Sequence, residues 1–241
     1  MNIQLNTPVG EVVRTNFKTA KIFEQYRIDF CCGGNQSLEE ASKKAKVDAA
    51  KVIDEIKTVL SQHDPDAVWF ERMPLDKLSD YIVDRHHSYV RETSPFLQAK
   101  LRKLCDVHGH NHPELFDVAE LFDQTAGNLI MHMQKEELIL FPFVKKLLRI
   151  QSESRKIAID EASVLEPIHQ MEAEHQAEGE RFELIAKFTG NYTVPSDGCE
   201  TYRVTYQTLQ EFEQDLHRHI HLENNLLFKK AALLEQELKE K

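Results

Sequence analysis

The segments HMQKEELILF (residues 132–141) and HIHLENNLLF (residues 219–228) repeat one pattern, H-x3-E-x2-[IL]-L-F. On an α-helix, residues i and i+4 project from the same face one turn apart. His132 with Glu136, and His219 with Glu223, therefore each present an imidazole beside a carboxylate. Both pairs sit on apolar stripes. Leu129, His132, Glu136, Leu140 and Phe143 make one; Leu209, Phe212, Leu216, His219, Glu223 and Leu226 make the other. Steps of three and four residues are those of a helix-bundle core seam.

Two more stripes lie elsewhere in the chain. Val83, His87, Val90, Ser94, Leu97, Leu101 and Leu104 form one, and Ile168, Met171, His175, Phe182 and Ile185 the other. The four helical patterns cover 75–105, 114–148, 160–188 and 200–238. Polar breaks separate them: HGHNHPE (108–114), QSESR (151–155) and NYTVPSDG (191–198). Four long helices with short connections predict an all-α chain built on an antiparallel four-helix bundle. Strand-type alternation is absent over any useful length.

In each stripe an imidazole stands where a leucine is expected. His87, His132, His175 and His219, with Glu136 and Glu223, would all point inward. Six such groups in one core cost many kcal/mol unless a metal or hydrogen bonds compensate. The pattern predicts a dinuclear site with the two glutamates as candidate bridges. Mixed imidazole and carboxylate ligation suits iron or manganese, whereas zinc prefers closed four-coordinate sites. His86 adjoins His87, and only one of the two is expected to face the core; the stripe through His87 is the more apolar. His169, His217, His221 and Glu137 fall off the stripes and are expected to point away. His108, His110 and His112 fall in a polar loop.

The first 62 residues read as a small helical unit with a thin core. Thr7-Pro8 starts a helix, and Ser37 with Glu40 is a capping box at the head of LEEASKKAK. Between them lies the turn DFCCGGNQS (29–37). Vicinal Cys31 and Cys32 at a Gly-Gly turn before a helix feel backbone N–H groups that lower a thiol pKa. A vicinal disulfide, a metal or cluster ligand, a redox thiol and a pair of ordinary buried thiols all stay open. Pro65 ends the preceding helix, so 63–74 is expected to be a linker and 75–241 the bundle.

The rest of the composition narrows the function. The chain has 241 residues, 30 Lys+Arg against 40 Asp+Glu, and a net charge of −10. Acidic surface disfavours nonspecific nucleic-acid binding. No apolar run is long enough to span a membrane, and the first residues lack the pattern of a secretory leader. Four cysteines without such a leader suggest free thiols in a reducing cytoplasm.

Five segments together resemble the repair-of-iron-centres family, the bacterial di-iron proteins of iron–sulfur cluster repair. They are IDFCCGGNQSLEEA (28–41), DRHHSYVRETSP (84–95), HMQKEELILFP (132–142), MEAEHQAEG (171–179) and HIHLENNLLF (219–228). The resemblance covers almost the whole chain. It implies ligand histidines at His87, His132, His175 and His219 and bridging glutamates at Glu136 and Glu223. The family's cysteine pair falls on Cys31 and Cys32, the expected reactive residues. The spacing from His87 to Pro95 supports His87 over His86. Lys229 stands where relatives often have Pro.

What the resemblance implies is a cytoplasmic stress-response protein, often a homodimer, with two non-haem iron ions that are oxo- and carboxylate-bridged. Its expected role is repair of iron–sulfur proteins damaged by nitrosative or oxidative stress, by donation of iron. A di-iron nitric oxide reductase and a reversible O2- or NO-binding protein are the alternatives. Oxygen-carrying hemerythrins use more histidine around the iron pair, which weighs against the carrier. No nucleic acid and no membrane is expected as a partner.

Overall fold

The computed structural model describes residues 3–62, 64–154 and 163–240. Helices dominate, and β structure among the described residues is limited to an isolated antiparallel bridge between Pro8 and Ser37. The N-terminal helices are α1 (Val9–Thr15), α2 (Ala20–Gln25), α3 (Leu38–Ala45), α4 (Ala49–Leu60) and α5 (Pro65–Arg72), with a short 3-10 turn at Phe17–Thr19. After them, α6 (Leu75–Tyr81) runs into α7 (Ser88–His108) through a π-helical segment, Ile82–His87. Likewise α8 (Glu114–Lys135) continues through Glu136–Leu140 into α9 (Phe141–Ser152). Helix α10 (Leu165–Phe188) is uninterrupted, and α11 (Glu200–Leu222) continues through Glu223–Leu227 into α12 (Phe228–Glu240). These spans match the four predicted helices closely. The third begins at Leu165; the predicted start at 160 lies outside the described residues.

Each π segment begins or ends on a stripe residue: His87, Glu136 or Glu223. A π turn inserts a residue into the α-helical ladder and re-aims the side chains around it, and such turns concentrate at functional sites.

The chain forms two compact units. The first comprises Met1–Ser79, Val144–Val164 and Arg218–Lys241, the second Asp80–Phe143 and Leu165–His217. In the first, the capping box at α3 is present: Ser37 Oγ accepts the Glu40 N–H, and the Glu40 carboxylate accepts the Ser37 N–H. Asp48 caps α4 by accepting the Ala50 N–H at 2.9 Å. Helix α5 occupies the stretch read as a linker. Asp64 anchors it, accepting the N–H of Asp66 at 3.1 Å and that of Phe17 at 2.6 Å. An Asp cap with Pro at the first helical position starts a helix as surely as Pro stops the one before.

The thin core expected of the N-terminal helices is completed by the end of the chain. Val9, Val12, Val13, Phe23, Leu38 and Ile56 are buried, and so are Phe228, Ala231 and Leu238 of α12. Fully burying one such aliphatic or aromatic side chain is worth roughly 1.5–3 kcal/mol. A Cβ on Gly10 or Gly34 would stand 2.6 Å from Asn225 Oδ1, so backbone approaches that side chain as only glycine permits.

The second unit is the bundle, and its side-chain pairs define the register. Gln98 meets Asp123, and Cys105 meets Leu115, so α7 and α8 are antiparallel. Asn128 meets Glu178 and His132 meets Glu174, so α8 and α10 are antiparallel. His86 meets Asp215 and His108 meets Cys199, so α7 and α11 are antiparallel as well. The rings of Phe122 and Phe182 pack on Phe212 at centroid distances of 5.3 and 5.8 Å, in the middle of the bundle.

Candidate metal centre

In the bundle unit, His87, His132, Glu136 and His175 are all buried. Glu136 Oε2 lies 3.2 Å from His87 Nε2 and 3.4 Å from His132 Nε2. His175 Nε2 lies 3.0 Å from His132 Nε2. Three helices thus converge through imidazole Nε2 atoms on one carboxylate. His132, Glu136 and His175 each offer a ligand atom within 4.8 Å of the others.

The outward nitrogens explain the inward ones. His87 Nδ1 lies 2.7 Å from Glu137 Oε1, and His132 Nδ1 lies 3.0 Å from Glu174 Oε2. Each carboxylate is tied to a cation at 2.5 Å: Glu137 to Arg91, Glu174 to Lys135. Burial pushes both carboxyls up, but the bonds from histidine and cation outweigh it and hold both below the usual carboxylate value. An ionised carboxylate accepts from Nδ1–H, and that tautomer presents an Nε2 lone pair to the interior. This is the carboxylate–histidine arrangement that orients metal ligands.

Glu137 was expected to point away from the core. It does leave the centre, but its carboxylate turns onto His87, because residue i+1 on a helix faces the neighbouring helix. Helical spacing does not mark Glu174 either, for the same reason. Its signal is a carboxylate directly preceding His175 on the chain, which carries no mark of the neighbouring helix it will meet. His86 is also buried, its Nδ1 3.0 Å from Asp215 Oδ2. Asp215 on α11 gives His86 a buried partner, so both members of the His-His pair leave solvent, where only one was expected to.

The first unit carries His219 and Glu223, both buried, with His219 Nε2 3.0 Å from Glu223 Oε1 across one helical turn. Every residue from His219 to Phe228 is buried. His221 therefore corrects the expectation of a surface position. Its ring packs against Phe17 and Phe30 at 5.6 and 5.9 Å, and Asn225 Nδ2 lies 3.2 Å from its Nδ1. Burial lowers its pKa to about 3, so the ring is neutral. A helix covered on several faces hides its off-stripe residues as well as its stripe.

Cys31 and Cys32 lie in the same unit. The Asp29 carboxylate accepts the N–H groups of Cys31 at 3.0 Å, Cys32 at 2.9 Å and Gly33 at 2.8 Å. The two sulfurs are 3.9 Å apart and both thiols are free. The Cys31 carbonyl accepts from Asn224 and Asn225, the two residues after Glu223, at 3.4 and 3.2 Å. Asp29, Cys31 and Cys32 also each offer a ligand atom within 4.8 Å of the others. A lowered thiol pKa was expected at this turn. For Cys31 the structure shows the reverse: the hydrogen bond with Cys32, burial and the Asp29 charge push it well up. Asp29 has taken the amides that would otherwise stabilise a thiolate.

Known proteins resemble this chain in sequence along most of its length. Residues 5–60 match the ScdA_N family, described as a domain of unknown function, and residues 78–231 match the hemerythrin HHE cation binding domain. The iron-sulfur cluster repair protein ScdA of Staphylococcus haemolyticus is 37% identical over 224 residues, covering 93% of this chain and 97% of the relative. The iron-sulfur cluster repair protein YtfE of Yersinia pseudotuberculosis is 34% identical over 226 residues, covering 94% and 96%. No helix among the described residues is long and apolar enough to cross a membrane. Two matched domains in order, and relatives aligned along nearly their full length, place the chain in the family of hemerythrin-like iron–sulfur cluster repair proteins.

Proposed function

We propose that this chain holds a dinuclear non-haem iron centre, with the six residues marked by the helical stripes, His87, His132, Glu136, His175, His219 and Glu223, as its ligands. The protein then restores iron–sulfur clusters damaged by nitrosative or oxidative stress, by donating iron. The observation that carries this reading is the Nε2 geometry around Glu136, at 3.2 and 3.4 Å, with the opposite ring nitrogens committed to Glu137 and Glu174. A buried carboxylate facing imidazole lone pairs suits a cation among them. All six residues fall inside the matched cation-binding domain.

Iron bound by this donor set supplies the metal that a damaged cluster lacks. Neutral imidazoles and two carboxylates hold it less tightly than thiolates hold a cluster, which favours release. Glu137 and Glu174 keep the protons of His87 and His132 on Nδ1 and fix the ring planes. Cys31 and Cys32 act as receivers of iron, as redox thiols or as contacts to a client, from a turn clasped by the residues that follow Glu223. The reading places the protein in the cytoplasm, where its thiols stay reduced, as a homodimer whose clients are damaged iron–sulfur proteins and whose small-molecule encounters are nitric oxide and dioxygen.

The test is repair itself. An iron–sulfur dehydratase inactivated by nitric oxide is incubated with iron-loaded protein, and activity is followed beside iron content. About two irons per chain and recovery of the client support the reading. Full loading with no recovery, or no retained iron, refutes it.

A further inference from the structure

Cys199 immediately precedes α11, and its Sγ lies 3.3 Å from Nε2 of His108, the last residue of α7. These residues are 91 positions apart in sequence, and the antiparallel bundle brings their helix ends together. Cys199 is exposed, so a solute reaches the sulfur directly. At 1.5 Å rise per residue, about 30 Å of α7 separates His108 from His87, which puts this pair away from the candidate metal centre.

We propose that Cys199 is a reactive thiol, with His108 as its base, that forms mixed disulfides with low-molecular-weight disulfides. His108 Nε2 takes the thiol proton. The thiolate attacks one sulfur of the small disulfide; a new S–S bond forms as the old one breaks. The departing thiolate takes the proton from His108 and leaves as a thiol. Cys199 is oxidised to the disulfide level and the leaving sulfur is reduced, so no further oxidant is needed.

The surroundings favour the thiolate. The hydrogen bond to His108, then the backbone N–H of Tyr202 and Thr201 at the head of a 23-residue helix, lower the Cys199 thiol to about 7. The His108 ring stands edge-on to Tyr202 at 5.3 Å, which holds it in place. The carboxylates nearby are already engaged. Asp197 and Glu114 flank His112 at 2.9 and 3.1 Å, and Glu200 pairs with Arg203 at 2.9 Å on α11 itself. The His112 ring and the Arg203 guanidinium partly offset the charge these carboxylates set against a negative sulfur. The other bundle cysteine contrasts with it: burial and the Asp106 charge raise Cys105, whose thiol donates to the Leu115 carbonyl.

The experiment uses the full chain and dithiodipyridine, with peptide mass mapping after acid quench to assign each modified cysteine across a pH series. Cys199 is expected to react ahead of Cys31, Cys32 and Cys105, with half-maximal rate near pH 7. In His108→Gln the midpoint is expected to rise toward the ordinary thiol value, by up to about one and a half units, with the Tyr202 and Thr201 N–H groups keeping part of the lowering. The Cys199 rate at pH 6 should fall by up to about sixfold, because a thiolate loss of at most ~30-fold is partly offset by the greater nucleophilicity of a more basic sulfur. Circular dichroism confirms that the variant is folded. A second measurement needs no His108 variant: ultraviolet thiolate titration of the parent minus Cys199→Ser. Equal reactivity of Cys199 and Cys105, an unshifted profile in folded His108→Gln, or a difference titration at the ordinary thiol value would each overturn the proposal.

Discussion

Glu174 Oε2 lies 3.0 Å from His132 Nδ1, and Lys135 holds the other oxygen of the same carboxylate at 2.5 Å. One acidic side chain thus sets which nitrogen of His132 carries the proton and anchors itself to the helix that bears that histidine. Glu137 does the same for His87 through Arg91. The orientation of the inward Nε2 atoms is built from outside the centre.

Replacing that carboxylate should therefore loosen metal without unfolding the bundle. Glu174→Gln keeps the shape but loses the charge, and metal affinity is expected to fall roughly 10–100-fold. Competition with a chelator measures this. An unchanged affinity in a folded Glu174→Gln protein would mean that Glu174 does not orient the ligand.

Glu136 makes a sharper case, because its cost is paid in the metal-free chain. Its buried carboxylate faces two imidazoles, at 3.2 and 3.4 Å. Glu136→Gln should abolish tight iron binding, yet leave the chelated protein at least as stable as the chelated parent, since a buried charge has been removed. Thermal melts with and without chelator separate the two effects. A chelated variant that melts well below the chelated parent would show that Glu136 is structural.

Gly34 tests the clasp around the cysteine turn. An added Cβ would stand 2.6 Å from Asn225 Oδ1 and 2.9 Å from the Phe30 carbonyl. The side chain can rotate but the carbonyl is backbone, so Gly34→Ala should destabilise the first unit by about 1–3 kcal/mol. Urea unfolding followed by circular dichroism reads it. A variant as stable as the parent would show that the turn yields freely.

At the far end of the bundle, the hydrogen bond with Asp197 raises the His112 pKa above its ordinary 6.5, and burial only partly opposes this. A raised folded-state value means that the His112–Asp197 pair stabilises the fold fully below the unfolded histidine value. Its contribution is lost as pH rises through the raised one. NMR titration of His112 should show a midpoint above that of a free imidazole, falling in Asp197→Asn. Equal midpoints in both proteins would show that the bond does not persist in solution.

Much of the fold is legible in single helices. The 3,4 spacing of Val90, Leu97, Phe182 and Phe212 marks core faces, and it marks the six imidazole and carboxylate positions as buried, because helix periodicity is a local property of the chain. Ser37 with Glu40 announces a helix start for the same local reason. Asp64-Pro65 shows the limit of such signals. The dipeptide can end α4 and can begin α5; the Asp66 N–H that Asp64 caps, with the Phe17 N–H on the same carboxylate, shows that it begins the helix over Pro65–Arg72.

The sequence by itself determined which residues share a face: four helices, six inward imidazoles and carboxylates, and a cysteine turn before a capped helix. Tertiary structure alone decided what meets those faces from the side. It set Glu137 and Glu174 on the outward nitrogens, buried His221 against Phe17 and Phe30, raised Cys31 through Asp29 and lowered Cys199 through His108. The physical reason is range. Spacing along one helix encodes direction, whereas hydrogen bonds and burial depend on groups brought close from distant parts of the chain, and those groups set protonation and orientation.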